Sequence, residues 1–190
     1  MGQEQGLFDF DEVCTAISDK LERRHPHIFG DAEGGDSEAV AARWEQLKAG
    51  ERAEKALHSV LDDIPQALPA LMKAHKIQKR CASVGFDWNT LGPVLDKVYE
   101  EIDEVMHEAR QAVVDESKLE EEIGDLLFAT VNLSRHLGHK AENALQAANR
   151  KFERRFREVE AIVKQRGLRL EDATLEQMED AWQQVKKSEI

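Results

Sequence analysis

Leu91, Leu95, Val98, Ile102, Val105 and Ala109 recur at intervals of three and four residues, and Leu119, Ile123, Leu126, Thr130, Leu133 and Leu137 repeat the pattern. At about 100° per residue, each set forms one stripe of an α-helix. The pattern predicts long helices over about 92–113 and 117–138, with others over about 10–24, 67–82, 140–166 and 174–188. Proline marks the boundaries: Pro26, within Arg24-His25-Pro26-His27-Ile28-Phe29, stops the first helix, and Pro65 and Pro69 punctuate the entry to the one over 67–82. Residues 30–36, Gly-Asp-Ala-Glu-Gly-Gly-Asp, form a linker candidate, after which a helix resumes near Ser37, an N-cap type, and carries Trp44, Leu47 and Lys48. Gly85-Phe86-Asp87-Trp88-Asn89 reads as a tight turn. The fold class these elements imply is all-α, an antiparallel helical bundle.

Composition agrees with that pattern. Charged residues make up 34% and apolar residues 41% of 190, with four prolines, eleven glycines and one tyrosine. This length can bury one good core. A net charge of −12 argues against duplex nucleic acid as a partner, since such binding rests on Lys and Arg neutralising phosphates. Cys14 and Cys81 have neither CxxC spacing nor a disulfide-scaffold pattern. No apolar run reaches the roughly 20 residues of a membrane span, and no basic-then-apolar signal layout opens the chain. The expected location is the cytoplasm, with no membrane partner.

The chemistry is concentrated in Glu101-Ile102-Asp103-Glu104 and Glu122-Ile123-Gly124-Asp125, two acidic pairs at i, i+3 on successive helices. That spacing places both members of a pair on one helical face. Glu101 and Glu122 each sit roughly 60° from the leading apolar position of their stripes, and Glu104 and Asp125 roughly 120°, in the same rotational sense. A short connection around 113–117 folds the helices antiparallel, so the four carboxylates are expected along the edge of the seam. Four such groups at close range repel one another, and a divalent cation would relieve the repulsion. Magnesium suits hard oxygen ligands and is often shared with substrate phosphates; manganese is the expected substitute. The competing possibility is that acidic i, i+3 pairs simply solvate a helix face, as expected for Glu100, Asp103, Glu108, Glu120 and Glu121. A ferritin-like di-iron site needs Glu-x-x-His on two helices; Glu104 and His107 supply one, but His107 lies roughly opposite the stripe and the second pair has no histidine. His25 and His27 flank a proline and suit surface or capping positions.

A further signal is internal repetition. Lys20-Leu21-Glu22-Arg23-Arg24-His25 is echoed by Lys151-Phe152-Glu153-Arg154-Arg155-Phe156, which suggests duplication. The EEIDE, EEIGDLLF and NRKFERRF segments, with Trp182-x-x-x-Lys186, resemble the MazG nucleoside triphosphate pyrophosphohydrolases. The resemblance covers nearly the whole chain, and Gly85-Phe86-Asp87-Trp88 fits the C-terminal domain of the enterobacterial type with two tandem MazG domains. On that resemblance residues 1–30 are expected to be the tail of a truncated first repeat, 31–43 a linker and helix entry, and 44–190 a complete catalytic domain.

The resemblance implies the all-α NTP pyrophosphatase fold, a homodimer, and hydrolysis of nucleoside triphosphates to monophosphate and pyrophosphate with broad base tolerance. It also makes Glu101, Glu104, Glu122 and Asp125 the catalytic metal ligands; the expected general base is Glu104, although the sequence does not distinguish it from the other three. Lys151 and Arg155, one helical turn apart, are expected to hold phosphate, as are Lys48, Lys118 and Asn149. Trp182 with Lys186 is the candidate base contact, since an indole stacks on any base, whereas Trp44 and Trp88 are expected to serve packing. The rival from another class is a non-catalytic nucleotide-sensing or helical interaction module.

Overall fold

The computed structural model describes residues 6–30 and 59–189, with isolated positions 40, 47 and 50 between them. The linker beyond Gly30, the helix expected from Ser37, Trp44 and Lys48 lie outside the described residues. The chain divides into two compact units, Met1–Asp63 and Ile64–Ile190, and every regular element among the described residues is helical. The all-α expectation is therefore met.

In the first unit, α1 spans Phe10–Arg24 and α2 spans Pro26–Phe29. A reciprocal cap starts α1: Glu12 N–H donates to Asp9 Oδ1 at 2.8 Å and Asp9 N–H to Glu12 Oε2 at 2.9 Å, satisfying two amides that no helical carbonyl can reach. Pro26 opens the second helix, a position where its missing N–H costs nothing. No residue of α1 is buried, so its apolar face of Phe10, Val13, Ile17 and Leu21 is exposed.

The second unit contains α3 (Ala70–Ala82), α4 (Leu91–Ala109), α5 (Glu116–His136), α6 (Ala141–Gln165), a single turn of 3-10 helix (Leu170–Asp172) and α7 (Leu175–Ser188). Asp115 caps α5 by accepting from Ser117 and Lys118 N–H, which ends the connection from α4 sharply. The first long helix stops at Ala109 rather than near 113. Gly138 and Gly167, with φ of 78° and 77°, turn the chain after α5 and α6, a left-handed conformation that glycine adopts without Cβ strain. Thr174 and Gln177 cap α7 reciprocally.

The most extensive packing is between α4 and α5, followed by α6 with α7; α3 lies against α5 and α6. Val159 and Val163 of α6 interlock with Ala181 and Val185 of α7, all 2% exposed or less. Fully burying one such valine contributes about 1.5–3 kcal/mol. Around α4 and α5 the buried set is Val94, Glu101, Ala129, Val131 and Asn132.

This burial corrects the expected rotation of both helices. The buried side of α4 runs through Val94, Val98, Glu101 and Val105, while Ile102 is 40% exposed; on α5, Ile123 and Leu137 are 43% and 53% exposed. The apolar arc on each helix is wider than one neighbour covers, and its inner half was not the half centred by the stripe. Glu101 therefore lies inside the seam rather than along its edge.

Candidate active site

Glu101 is 4% exposed on a helix packed along its length, a costly place for a carboxylate unless it is paired. Lys97, one turn earlier on α4, supplies the pairing: its ammonium donates to Glu101 Oε1 at 2.7 Å and Glu100 Oε1 at 2.8 Å. Hydrogen bonds to Glu100 and then Glu101 raise the Lys97 pKa, so it stays charged. Glu101 Oε2, by contrast, is buried with no partner.

The second acidic pair approaches from α5. Ligand oxygens of Glu101, Glu104 and Glu122 lie within 4.8 Å of one another. A side-chain hydrogen bond with Glu101 raises the Glu104 pKa, with burial and repulsion by Glu101 adding to the shift. These features fit a hard cation. One oxygen is buried and unsatisfied, three carboxylates converge, and one holds its proton more tightly because the others are near. Asp125 is not part of this close set; it is exposed and lines a cavity together with Glu101.

The cluster separates two recesses. Glu104 and Glu122 border an open acidic cleft of about 650 Å³, whose other walls are Glu100, Asp103, His107 and Glu108. Glu101 and Asp125 border a deeper cavity of about 620 Å³. Phe86, Trp88 and Phe128 supply rings to this cavity, and Gln78, Lys97, Asn132, Arg135 and Asp87 supply polar groups. Trp88 is thus a cavity wall, 43% exposed, rather than only a packing residue. Asp87 forms a two-point pair with Arg135, Nη1 to Oδ2 at 2.9 Å and Nη2 to Oδ1 at 2.6 Å, and His136 Nε2 stands 2.9 Å from the same Oδ1. These hydrogen bonds, Arg135 first, hold the Asp87 carboxyl down to about 2.

Residues 1–29 and 90–160 match the model of the MazG nucleotide pyrophosphohydrolase domain. The whole chain is 72% identical, over 190 residues, to a nucleoside triphosphate pyrophosphohydrolase of Escherichia coli, of which it covers 72%. The chain belongs to the MazG family. Its likeness to the nucleoside triphosphate pyrophosphohydrolase/pyrophosphatase MazG of Thermotoga maritima is 40% over 186 residues, 98% of this chain and 69% of that protein. An uncharacterised Bacillus subtilis protein, YabN, is 42% identical over 189 residues, 38% of its own length. The MazG match contains both acidic pairs together with Lys118, Asn149, Lys151 and Arg155, and stops short of Trp182 and Lys186.

Of the remaining MazG-type positions, Arg155 and Trp182 are in contact among the described residues. Lys118, Asn149, Lys151 and Lys186 are exposed. Arg155 Nε donates to Glu189 Oε2 at 2.9 Å, and Arg154 Nη2 to Glu189 Oε1 at 2.7 Å. These two hydrogen bonds hold the Glu189 carboxyl down to about 2. Arg155 also lies over the Trp182 ring, 5.9 Å from its centroid, and Trp182 meets Phe152 at 5.2 Å. None of these residues lines either recess, and Lys48 is outside the described residues. Sequence reasoning missed Lys97, whose i, i+4 spacing to Glu101 was the available signal, and it missed Gln78, Asn132 and Arg135, which nothing local distinguishes.

Proposed function

We propose that the chain hydrolyses nucleoside triphosphates to nucleoside monophosphate and pyrophosphate, with magnesium or manganese held by Glu101, Glu104 and Glu122 and with Asp125 completing the set. The observation that carries this reading is the convergence of three carboxylates within 4.8 Å, one of them buried with an unpartnered oxygen. When bound, the cation would screen the polyphosphate and favour departure of pyrophosphate. The protein's own groups do the rest. Lys97 places a positive charge beside Glu101. One of the four carboxylates, with Glu104 the first choice, serves as general base instead of ligand and accepts a proton from the attacking water. The water oxygen forms a bond to the α-phosphorus, and the bond from that phosphorus to the α,β-bridging oxygen breaks with its electron pair leaving on pyrophosphate. Lys118, Asn149, Lys151, Arg155 and Lys186, with Lys48, belong to the same proposal as phosphate contacts.

Further parts of the reading have their own support. A homodimer is favoured by the exposed apolar edge of Ile102, Met106, Ile123 and Leu127, each 39% exposed or more, beside the carboxylates of the same helices. The match of residues 1–29 to the MazG domain, with the Lys20 and Lys151 echoes, supports a partial second copy of the repeat in the first unit. Free Cys14 and Cys81 accord with a cytoplasmic setting, and no helix among the described residues is long and apolar enough to cross a membrane.

Product analysis tests the reaction. With a nucleoside triphosphate and magnesium, anion-exchange chromatography should show monophosphate and pyrophosphate in equal amounts. Appearance of diphosphate and orthophosphate would overturn the assignment, and binding without turnover would favour a sensor.

A further inference from the structure

Between α3 and α4 the chain crosses residues 83–90, a strap from which Gly85, Phe86, Asp87 and Trp88 form one wall of the cavity of about 620 Å³. Little holds this strap in place. Val84, Phe86 and Trp88 are exposed, Phe86 by 82%, so burial of its apolar side chains fixes it only weakly. Among the described residues, backbone hydrogen bonds tie it to the end of α3 only as far as Phe86, whose N–H donates to the Cys81 carbonyl at 3.1 Å. Gly85 adopts a φ of 88° with no atom within 4 Å of where a Cβ would stand. That is a left-handed pivot which glycine reaches without strain and which no neighbouring side chain braces.

Asp87 supplies the anchor. Its Oδ2 accepts from Arg135 Nη1 at 2.9 Å, and its Oδ1 accepts from Arg135 Nη2 at 2.6 Å and from Trp88 N–H at 3.0 Å. His136 Nε2 stands 2.9 Å from the same Oδ1. Asn132 Oδ1 accepts from Arg135 Nε at 3.1 Å and Nη2 at 2.7 Å, so a neighbour on α5 holds the guanidinium in the orientation that meets Asp87. All three members of the cluster are largely shielded from solvent, where a forked, charge-assisted pair contributes more than an exposed ion pair does. Beyond the strap, the same cavity is lined by the free thiol of Cys81 and by Gln78. Gln78 Oε1 is buried without a protein partner, and such an oxygen is completed by a molecule that has entered the cavity.

We propose that residues 83–90 are a gate on this cavity, pivoting at Gly85 and latched to α5 by the grip of Arg135 and His136 on Asp87. With the latch open, the wall carrying Phe86 and Trp88 leaves α5, and Cys81 meets solvent. The gate needs neither a nucleotide nor a cation, so it stands or falls apart from the reaction proposed above. What it adds is control of entry to a space that Glu101 and Asp125 also border.

Cys81 is the reporter. The chain has two cysteines, so the full chain carrying Cys14→Ser presents a single thiol, and its alkylation by N-ethylmaleimide, followed by mass spectrometry, reads how often the strap opens. The folded protein should react far more slowly than the same chain in denaturing urea. Asp87→Asn and Arg135→Lys, which both lose the forked charge pair, should each speed alkylation about tenfold, the lower end for a hydrogen bond to a charged group. Below the unfolding transition the faster rate should be nearly independent of urea, because local opening exposes little surface. Unchanged rates in both variants, acceleration that rises with urea as steeply as global unfolding, or a folded wild type that reacts as fast as the unfolded chain would each overturn the gate.

Discussion

A single lysine decides whether the carboxylate cluster can be built at all. Glu101 is buried, and Lys97 is the cation that compensates it at 2.7 Å. Removing one partner of a buried pair strands the other charge, at a cost of about 3–5 kcal/mol. Because Lys97 remains 36% exposed, the lower end of that range is the expectation for Lys97→Met, measured as a shift of the urea unfolding midpoint; the same variant should lose most of its hydrolytic rate. A variant as stable as the wild type would mean that the Lys97–Glu101 pair contributes nothing to the stability of the fold. Asp87 offers a pH test. Its folded pKa of about 2 lies below the usual value near 4, so its link to Arg135 stabilises the fold above that usual value and fades as pH falls through about 2. Wild type should therefore lose stability relative to Asp87→Asn between about pH 5 and pH 2, whereas parallel stability curves would remove the link from the folded state's energetics. At this scale the sequence disclosed the acidic residues by their i, i+3 spacing. The burial of Gln78 escaped notice because it depends on chain segments far apart, as in its hydrogen bond to the Phe128 carbonyl, 50 residues away.

Helix boundaries followed from local chemistry, and helix rotation did not. Pro26 and the Thr174 and Gln177 cap mark ends where they were expected, because such signals act through neighbouring backbone amides. Asp115, which begins α5, was passed over and the preceding helix was extended too far. Asp115→Ala should cost about 1 kcal/mol in thermal unfolding, and no loss would show that the cap is redundant. Rotation is a property of pairs of helices. The α4 stripe contains both inward Val98 and outward Ile102, and only the packing partner selects between them. Glu189, just after α7, pairs with Arg154 and Arg155 of α6, and Arg155 is a proposed phosphate contact. Glu189→Gln should accordingly tighten tripolyphosphate inhibition, by about threefold to tenfold for one charged hydrogen bond; unchanged inhibition would place Arg155 outside the phosphate path.

At the level of the whole molecule, Ile102, Met106, Ile123 and Leu127 stand exposed on the two helices that also carry the carboxylates. Replacing Ile102 and Leu127 by glutamate should convert a dimer to monomer in sedimentation, and identical sedimentation of wild type and variant would assign that edge no role in assembly. The MazG resemblance captured the family and the all-helical class, since motif order survives without knowledge of packing. It did not disclose the cavity, which exists only once α3, α4, α5 and the turn at Phe86 are brought together. The most direct measurement is a manganese titration followed by electron paramagnetic resonance of the free ion. The wild type should deplete the free-ion signal at micromolar protein, while Glu101→Gln combined with Glu122→Gln should leave it almost undiminished. Equal depletion by both proteins would contradict a cation held by these helices.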